Sequence, residues 1–559
     1  MKPLFRKTLM RALAITILCL VTTAGADSRG LENNYGIIPM PYSIEATGGK
    51  PFQMNAETVI VYRDKARKTS AKYLQERIAG STGMKLAIKK SGSSNAIVLQ
   101  VEPEIVGFGE KDAYTFESSK DRITITGKST SGLFYGIQTL FQLLPAGIYS
   151  DTPVKDMTLS VDALLIKDKP SMSKIRGLHV DIARHFRTKE ELKKIIDCMA
   201  MHKLNTLHIH LSDVQGWRVE IKAYPKLTTV GAIGSKSDPN APVAFLTQKE
   251  VKEICAYAAD RYVGIIPEID MPAHMGAAIR SYPGLKHPGE VRDPAKVIRG
   301  DAMGRDFAKK VLAEINSLFD PEYIHIGCDE VNHGSKEKLY TEAELVDFAS
   351  EVTTFVKEEL RKTPIVWDDV FVQGLHDKDV VVQWWRYGKK YWWRNLKLPV
   401  DEELNQRQQP FIMSPAYWTY FDIPNVAPEE GYPGWAKPIS TAEVYNWDPF
   451  GDMLGVNEHT RELALGAIAC NWSENIITMK DFEDRTYPRL AAYSERLWSG
   501  AGSENPSVLD WEDYRDKVLI PYQLDRYDAL GVWYWSKDKP ELLKNLKSSR
   551  KKLKLSKVQ

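Results

Sequence analysis

The chain of 559 residues has few cysteines, almost no net charge and, beyond its first 26 residues, no apolar run long enough to cross a membrane. Its five cysteines include no Cys-x-x-Cys pair, which argues against zinc-ribbon and thiol–disulfide redox chemistry. Lys and Arg total 75 against 73 Asp and Glu, so the formal charge is +2 and creates no strong field for a polyanion. We therefore expect no nucleic-acid partner and no stable membrane insertion.

The first 26 residues have the pattern of a cleavable signal peptide. A basic start is followed by the apolar stretch Ala12 to Val21 and by the small-residue site Ala24-Gly25-Ala26. A retained anchor helix needs about 20 apolar residues, and this stretch is shorter. The pattern predicts export, to the periplasm or outside the cell. The four cysteines that remain are expected as buried free thiols, although an exported protein can also form a disulfide: Cys198, Cys255, Cys328 and Cys470.

The mature chain divides into three parts by its patterns. Residues 27–170 mix short strands with two helical stretches, Ala71 to Ile78 and Gly132 to Leu144, which predicts a small α+β domain. Residues 171–505 alternate strands with helices. Residues 506–559 are predicted as a helical extension with a basic tail, and we interpret that tail as a solvated, frayed end rather than as a membrane-surface helix.

Eight strand-like runs between Arg176 and Cys470 predict a (β/α)8 TIM barrel. They are Arg176–Asp181, Thr206–Leu211, Val263–Glu268, Tyr323–Gly327, Ile365–Trp367, Val380–Gln383, Phe411–Ser414 and Ala467–Cys470. In this fold the chemistry lies just beyond the carboxyl ends of the strands. The sequence after each run is therefore the place to look for a site.

Acidic and aromatic residues follow almost every one of these runs. The fourth run leads directly into Asp329-Glu330, and neighbouring carboxylates push each other's pKa values apart, which suits one acid and one charged partner. A solvated Asp-Glu pair at a strand end is the ordinary alternative for this dipeptide taken alone. Tryptophans and acids at so many strand ends favour a carbohydrate pocket, because indole faces pack against the C–H faces of sugars.

These residues form separated motifs that resemble glycoside hydrolase family 20, the β-N-acetylhexosaminidases. The motifs are His208-x-His210-Leu211-x-Asp213-x-x-Gly216-Trp217-Arg218, Pro267-Glu268-Ile269-Asp270-Met271-Pro272-x-His274, His325-Ile326-Gly327-x-Asp329-Glu330, Asn471-Trp472-x-Glu474, and Tyr487-Pro488-Arg489 with Ser494-Glu495-Arg496-Leu497-Trp498. One departure is Cys328, where the family usually has a second glycine. A side chain this small is expected to fit with little consequence.

The resemblance implies an exo-acting, retaining enzyme that releases terminal β-linked GlcNAc or GalNAc with the substrate's own 2-acetamido oxygen as nucleophile. Glu330 would be the general acid and then the general base. Asp329 would stay ionised and accept the acetamido N–H, and Tyr420 would donate to the acetamido oxygen. The resemblance implies no cofactor and no metal, and a partner that is a carbohydrate ending in N-acetylhexosamine. The oligomeric state is not readable.

The resemblance also implies a set of substrate-binding residues. Arg176 and Glu474, assisted by Asp422, would hold hydroxyls of the terminal sugar and close the pocket beyond it. Asp213 and His274 would form a polar relay behind Glu330. The walls of the pocket would be the tryptophans Trp367, Trp385 and Trp472, with Trp435 stacking there too.

Two other classes of function compete with this interpretation. A non-catalytic sugar-binding protein would keep the tryptophans but could dispense with Glu330. A metal-dependent hydrolase could use His208, His210 and Asp213, but the set lacks a cysteine partner and a His-Glu-x-x-His pattern. We interpret the two histidines as core residues, and Tyr493 and Trp498 as packing residues.

Overall fold

The computed structural model describes residues 35–62, 65–92, 94–104, 108–335, 338–386, 400–426, 436–451, 453, 456–500 and 508–546. The predicted signal peptide, Trp435 and most of the basic tail lie outside these residues. Among the described residues, no helix is both long enough and apolar enough to span a bilayer.

The N-terminal domain is a mixed sheet of seven strands with two helices packed against it. The strands are β1 (Ser43–Ala46), β3 (Val59–Tyr62), β4 (Ala87–Lys89), β5 (Ala96–Val101), β6 (Tyr114–Ser119), β7 (Arg122–Gly127) and β9 (Leu164–Asp168). Their order in the sheet is β1-β9-β6-β7-β5-β3-β4, antiparallel from β1 to β7 and parallel from β7 to β4. A separate ribbon pairs β2 (Phe52–Gln53) with β8 (Ser160–Val161). The helices are α1 (Lys65–Thr82) and α2 (Thr130–Leu143), followed by a 3-10 turn at Ala146–Tyr149.

The second unit is a closed barrel of eight parallel strands, which confirms the predicted TIM barrel. All eight predicted runs are strands, with ends that differ by a few residues at most. They are β10 (Ile175–Asp181), β11 (Thr206–His210), β12 (Gly264–Met271), β13 (Tyr323–Gly327), β14 (Thr363–Trp367), β15 (Val381–Trp384), β16 (Phe411–Met413) and β17 (Ala464–Asn471). Inside the barrel, six buried aliphatic residues form an apolar cluster: Ile175, Ile266, Ile365, Val381, Ile412 and Ile468.

Helices follow the strands on the outside of the barrel. Three of the longer ones begin with a capping box, in which a threonine and a glutamate three residues later satisfy each other's backbone N–H groups: Thr188 and Glu191, Thr247 and Glu250, Thr341 and Glu344. The helices are α3 (Lys189–Met201), α4 (Lys226–Thr229), α5 (Gln248–Ala259), α6 (Gly276–Ser281), α7 (Ala302–Phe319), α8 (Glu342–Glu358), α9 (Asp368–Val372), α10 (Val400–Arg407), α11 (Ala416–Thr419), α12 (Thr441–Tyr445), α13 (Glu458–Leu463), α14 (Met479–Thr486) and α15 (Arg489–Trp498). A 3-10 turn lies at Pro283–Leu285.

The C-terminal part is helical and packs on the rest of the molecule. Trp511 is buried beside Tyr445 of α12, and the indole N–H of Trp511 donates to the carbonyl of Leu546. The elements are α16 (Trp511–Tyr514), a π-helical stretch at Arg515–Gln523, α17 (Leu524–Ala529) and α18 (Pro540–Lys544). This segment is therefore part of the packed structure as far as residue 546.

Candidate active site

The carboxyl ends of the barrel strands surround a cavity of about 420 Å³. In a parallel barrel these ends meet at one face, so residues far apart in sequence come together there. Nine residues predicted from the sequence line the cavity: His274, Asp329, Glu330, Trp367, Trp385, Tyr420, Asp422, Trp472 and Glu474. Arg184, Lys236, His333 and Asn475 also line it.

The acid pair lies on a turn of unusual backbone geometry directly after β13. Gly327, Cys328 and Glu330 have φ values of +71°, +73° and +50°, which lie in the left-handed region. A Cβ at Gly327 would lie 1.8 Å from Asp270 Oδ1, so only glycine fits there. The backbone N–H of Cys328 donates to the same oxygen at 3.3 Å. Cys328 is fully buried, so its side chain fits, but its backbone adopts a conformation that glycine would adopt more readily.

A chain of alternating imidazoles and carboxylates leads from the core to the acid pair. His210 bridges Glu268 and Asp213, with its ring nitrogens 2.7 Å from Glu268 Oε2 and 3.2 Å from Asp213 Oδ2. Asp213 Oδ2 lies 2.9 Å from His274 Nδ1, and His274 Nε2 lies 3.7 Å from both Asp329 Oδ2 and Glu330 Oε2. This geometry agrees with the predicted relay of Asp213 and His274 behind Glu330.

Charges within this series of side chains determine which of them are protonated. Burial would raise the pKa of Asp213, but Arg184 and His274 outweigh burial and hold that pKa well below its usual value. Burial would lower the pKa of His274, but Asp213 and Asp329 outweigh burial and raise it to about 9. At neutral pH, therefore, an imidazolium is held beside the acid pair by an ionised aspartate.

The two acids of the pair have pKa values in the opposite order to the prediction. Burial, together with Asp369 and Glu330, raises the pKa of Asp329 to about 6. Burial would also raise the pKa of Glu330, but His333 and His274 outweigh it and lower that pKa to about 2. His333 Nδ1 lies 3.6 Å from Glu330 Oε2. The Glu330 side chain is 26% exposed, so water screens these attractions.

Aromatic rings form the walls of the cavity. The Trp367 and Trp472 ring centroids are 5.7 Å apart with planes inclined at 45°, and the Tyr420 ring lies 6.3 Å from that of Trp472. Trp385 stacks on Tyr420 with centroids 6.0 Å apart. The indole N–H of Trp367 donates to Glu268 Oε1 at 2.9 Å, which fixes the orientation of that ring. These four rings line the cavity from the ends of four strands, β14 to β17. Trp435 lies outside the described residues.

A second polar group occupies another part of the wall. Arg184 lies 2.7 Å from Asp213 Oδ2 and 3.5 Å from Glu474 Oε1, and its guanidinium lies 5.1 Å from the centre of the Trp472 ring. Asp181, at the end of β10, accepts from the backbone and the guanidinium of Arg184. Burial and the nearby Glu474 raise the pKa of Asp422 to about 8, so Asp422 is a protonated acid at neutral pH.

The prediction that Arg176 binds substrate is wrong, because Arg176 lies at the other end of its strand. It is the second residue of β10, at the amino end that faces the N-terminal domain. Its guanidinium is fully buried, pairs with Asp112 at 2.8 Å and donates to the carbonyls of Met172 and Lys203. Arg184, which follows the carboxyl end of the same strand, lines the cavity instead. The rule that binding residues follow strand ends could have identified Arg184 from the sequence.

Beneath the cavity, four histidines surround Glu268. His208 Nε2 lies 3.1 Å from Glu268 Oε2, and His179 and His325 complete the group with His210. Three sets of side chains could offer ligands to a cation: His179, His210 and Glu268; His208, Glu268 and His325; Asp270, His274 and Asp329. The possible metal set considered from the sequence, His208, His210 and Asp213, is not among the sets found in the described residues. Instead, Asp213 accepts from His210 and His274.

Other predictions concern residues away from the cavity. Trp498 packs against Tyr135 and over Lys203 at the base of the barrel, as expected for a packing residue. Tyr493 is fully buried. All four described cysteines are free, and Cys198, Cys328 and Cys470 are buried. Sequence analysis misses His333, Lys236 and Asn475, which line the cavity but belong to none of the motifs.

Comparison with known proteins gives two family matches that together span most of the chain. The sequence model "Glycosyl hydrolase family 20, catalytic domain" matches residues 174–501, and "Glycosyl hydrolase family 20, domain 2" matches residues 34–169. The first match covers the barrel and the second covers the N-terminal domain.

Two curated relatives align along nearly 500 residues. A β-hexosaminidase of Porphyromonas gingivalis is 32% identical over 496 residues, which is 84% of this chain and 61% of that protein. A β-N-acetylhexosaminidase of Cellulomonas fimi is 30% identical over 496 residues, which is 86% of this chain and 92% of that protein. The chain therefore spans less than two thirds of the first relative and nearly all of the second.

Solved structures show the same fold. The family 20 β-N-acetylhexosaminidase of Streptomyces coelicolor has a TM-score of 0.78 at 28% identity, covering 90% of this chain and 98% of that one. A mutant Streptomyces plicatus β-hexosaminidase in complex with product GlcNAc has a TM-score of 0.78 at 28% identity, covering 90% and 96%.

Proposed function

The chain belongs to glycoside hydrolase family 20, and from this premise we propose that it is an exo-acting, retaining β-N-acetylhexosaminidase. Its substrates are oligosaccharides or glycans that end in β-linked GlcNAc or GalNAc. The observation that carries the proposal is the position of Asp329 and Glu330. Both acids open into a cavity walled by three tryptophans, Trp367, Trp385 and Trp472, at the carboxyl face of the barrel.

The reaction begins with the substrate's acetamido group. Its carbonyl oxygen forms a bond to C1 while the bond from C1 to the leaving oxygen breaks, and Glu330 gives its proton to that oxygen. An oxazolinium ring results, and Asp329 accepts its N–H and offsets its positive charge. Tyr420 directs the acetamido oxygen. Holding nucleophile and C1 together makes the attack intramolecular, which can remove several kcal/mol from the barrier. Water then attacks C1 as Glu330 takes back a proton, which restores the acetamido group with retention.

Substrate binding would also reverse the order of the two pKa values, so that the pKa of Glu330 becomes the higher one. Asp329 and Glu330 together hold one proton below about pH 6, and the pKa of Asp329 places it on that residue. An acetamido N–H that donates to Asp329 stabilises its ionised form and lowers its pKa. A sugar beside Glu330 would exclude water from its carboxylate, and this desolvation raises the pKa of Glu330. The proton then resides on Glu330, where the leaving group needs it.

The exo action follows from the group around Arg184. Arg184 and Glu474 are placed to bond hydroxyls of the terminal sugar, and the neutral acid Asp422 can both donate and accept. All three residues line the cavity, and their hydrogen bonds to hydroxyls of the terminal sugar would support removal of one terminal residue at a time.

The test is release of phenol from an aryl β-N-acetylglucosaminide. Glu330→Gln should lower kcat by about 10²- to 10⁴-fold, the usual contribution of a general acid. Glu322→Gln is the matched control, because Glu322 is exposed at the opposite end of β13. Asp329→Asn should slow N-acetyl substrates strongly, and a substrate without the acetamido group should react slowly with every variant. Unchanged turnover in Glu330→Gln would refute the role of Glu330.

We also propose that the protein is exported and loses its signal peptide after Ala26. The basic and apolar pattern of the first 26 residues supports this proposal. N-terminal sequencing of protein from the periplasm or the culture medium should begin at Asp27. An intact Met1 on the fully active protein would contradict it.

A further inference from the structure

Asp369 connects two parts of the site that no motif joins. It is 1% exposed and lies at the start of α9, directly after β14, which pairs with β13 in the barrel. The turn carrying Glu330 follows β13. Because neighbouring strands end side by side, the carboxylate of Asp369 lies against that turn.

Each oxygen of Asp369 accepts from a different partner in the site. The backbone N–H of Glu330 donates to Oδ1 at 3.2 Å, and the indole N–H of Trp385 donates to Oδ2 at 3.1 Å. One side chain therefore bridges the peptide that carries the general acid and a wall of the sugar pocket.

Arg386 pairs with Asp369 and also with its neighbour Asp368, whose Oδ1 accepts from the same guanidinium at 3.0 Å. This guanidinium donates to Asp369 Oδ1 at 2.7 Å, also contacts Oδ2, and stacks on the Trp385 ring at 3.9 Å. Asp369 and Arg386 are buried, and together with the partly exposed Trp385 they form a trio in which each member contacts the other two. Such a trio is rigid because a planar guanidinium pairs with a carboxylate in a fixed geometry.

The Glu330 peptide needs an external support of this kind. Glu330 and Cys328 both have positive φ, which costs about 1–2 kcal/mol per non-glycine residue. A turn with two such residues holds its shape only where its surroundings fix it. Asp270 holds the N–H of Cys328, and Asp369 holds the N–H of Glu330.

We propose that Asp369 is a positioning residue of the reaction, which holds the Glu330 peptide and the Trp385 indole in register so that the acid meets the leaving-group oxygen. The inference rests on the proposed function and extends it. Asp369 does not touch the substrate; it acts through Glu330. A misplacement of a reacting group by about 1 Å can cost about 100-fold in rate, so the effect of losing Asp369 is measurable.

The test compares aryl β-N-acetylglucosaminides whose phenols differ in acidity. An acidic phenol such as 2,4-dinitrophenol departs without a proton, whereas phenol itself needs the proton from Glu330. In Asp369→Ala, kcat/KM for the phenyl substrate should fall at least about tenfold more than for the dinitrophenyl substrate. Glu330→Gln should show the same pattern more strongly. Asp369→Asn, which keeps one acceptor oxygen, should fall between wild type and Asp369→Ala.

Asp197→Ala is the matched control. Asp197 accepts from Tyr257 at 2.7 Å and from Arg261, and Arg261 stacks on the Tyr257 ring at 3.3 Å, so the trio has the same chemistry on the outer helices. Its loss should lower kcat/KM for both substrates by the same factor or not at all.

Three outcomes decide the matter. If kcat/KM falls equally for both substrates in Asp369→Ala, the inference is overturned and the proposed function stays intact. If the alanine variant does not fold, the same comparison is made with Asp369→Asn. The selective fall supports the inference. A wild-type enzyme that releases none of these phenols refutes the proposed function, and the inference fails with it.

Discussion

The two ends of strand β10 each have an arginine, and the two arginines have different surroundings. At the amino end, Arg176 is bound by Asp112 and by backbone carbonyls, and its guanidinium lies over the rings of Tyr135 and Trp498. Arg184, beyond the carboxyl end, is held by Asp181, Asp213 and Glu474 and lines the cavity. Five residue steps of strand separate Arg176 from Asp181, about 16 Å at the usual rise.

This difference shows how the polarity of a parallel barrel separates two uses of the same side chain. At the base, the arginine joins the barrel to the N-terminal domain, and its partners belong entirely to the protein. At the rim, its carboxylate partners belong to the site and can exchange contacts with sugar hydroxyls. The base therefore serves stability and the rim serves binding, as expected for this fold.

The largest effect should come from the same substitution at both arginines. Lysine keeps the charge but loses the forked geometry that holds carboxylates and hydroxyls. Arg184→Lys should lower kcat/KM by about 10- to 100-fold, the value of one or two charged hydrogen bonds, with little change in Tm. Arg176→Lys should lower the free energy of unfolding by about 1–3 kcal/mol and leave kcat/KM unchanged per folded molecule.

Kinetics on an aryl β-N-acetylglucosaminide and chemical unfolding of both variants measure these effects. A raised KM in Arg176→Lys with an unchanged free energy of unfolding would mean that the base arginine reaches the substrate. The comparison between the two ends would then fail.

The second prediction concerns the pH dependence of the rim. The reaction needs one proton on the Asp329–Glu330 pair, and the pair holds it below a pKa of about 6. As pH rises above that value, the free enzyme loses the proton, so kcat/KM should fall about tenfold per pH unit. A pH profile of kcat/KM between pH 4 and 8 tests this. A profile that is flat or rises from pH 5 to 8 would show that the pair does not supply the proton.

The third prediction uses one glycine from each end. A Cβ at Gly327, on the rim, would lie 1.8 Å from Asp270 Oδ1, and a Cβ at Gly466, near the start of β17, would lie 1.8 Å from the carbonyl oxygen of Ile175. Both have positive φ, so alanine costs at least about 1–2 kcal/mol at either site. Gly327→Ala should also lower kcat about tenfold, because the turn with Glu330 must shift.

Gly466→Ala should destabilise the protein without changing kcat per folded molecule. Thermal unfolding and active-site titration of both variants separate the two effects. An equal loss of kcat in Gly466→Ala would show that strain at the base reaches the rim.

Much of the fold could be predicted from sequence because the signals are local. Each barrel strand is a short apolar run, and the acids and tryptophans follow those runs directly. Asp329, Glu330, Trp367 and Trp472 follow such runs, and all four line the cavity. The resemblance of the motifs to family 20 then assigned a role to each of these residues.

The strand-end rule separates Arg184 from Arg176, because Arg184 follows the carboxyl end of the first strand and Arg176 lies at its amino end. The other differences depend on contacts that sequence does not record. The opposite order of the acid pKa values arises because His333, three residues after Glu330, lies against its carboxylate. The contact between Asp369 and the Glu330 peptide depends on how neighbouring strand ends meet.

The smallest effect should come from a buried acid near the base. Glu495 is 1% exposed, accepts from the backbone N–H of Met40 at 2.9 Å and from the Ser499 hydroxyl at 2.8 Å, and burial raises its pKa from 4.5 to about 7. Between these values the folded protein holds a proton that the unfolded chain releases. The contribution of Glu495 to the free energy of unfolding should therefore be fully present below about pH 4.5 and should decrease as pH rises towards 7.

Glu495→Gln removes this titration. Its free energy of unfolding should depend less on pH between 5 and 7, by on the order of 1 kcal/mol, while its pH profile of kcat/KM should match that of the wild type. Urea unfolding at pH 5 and pH 7 measures the first effect and kinetics the second. A wild-type pH dependence of stability in the variant would show that Glu495 is ionised in the folded protein. A displaced pH profile of kcat/KM would instead connect this acid to the rim, and the two ends of the barrel would no longer be electrostatically separate.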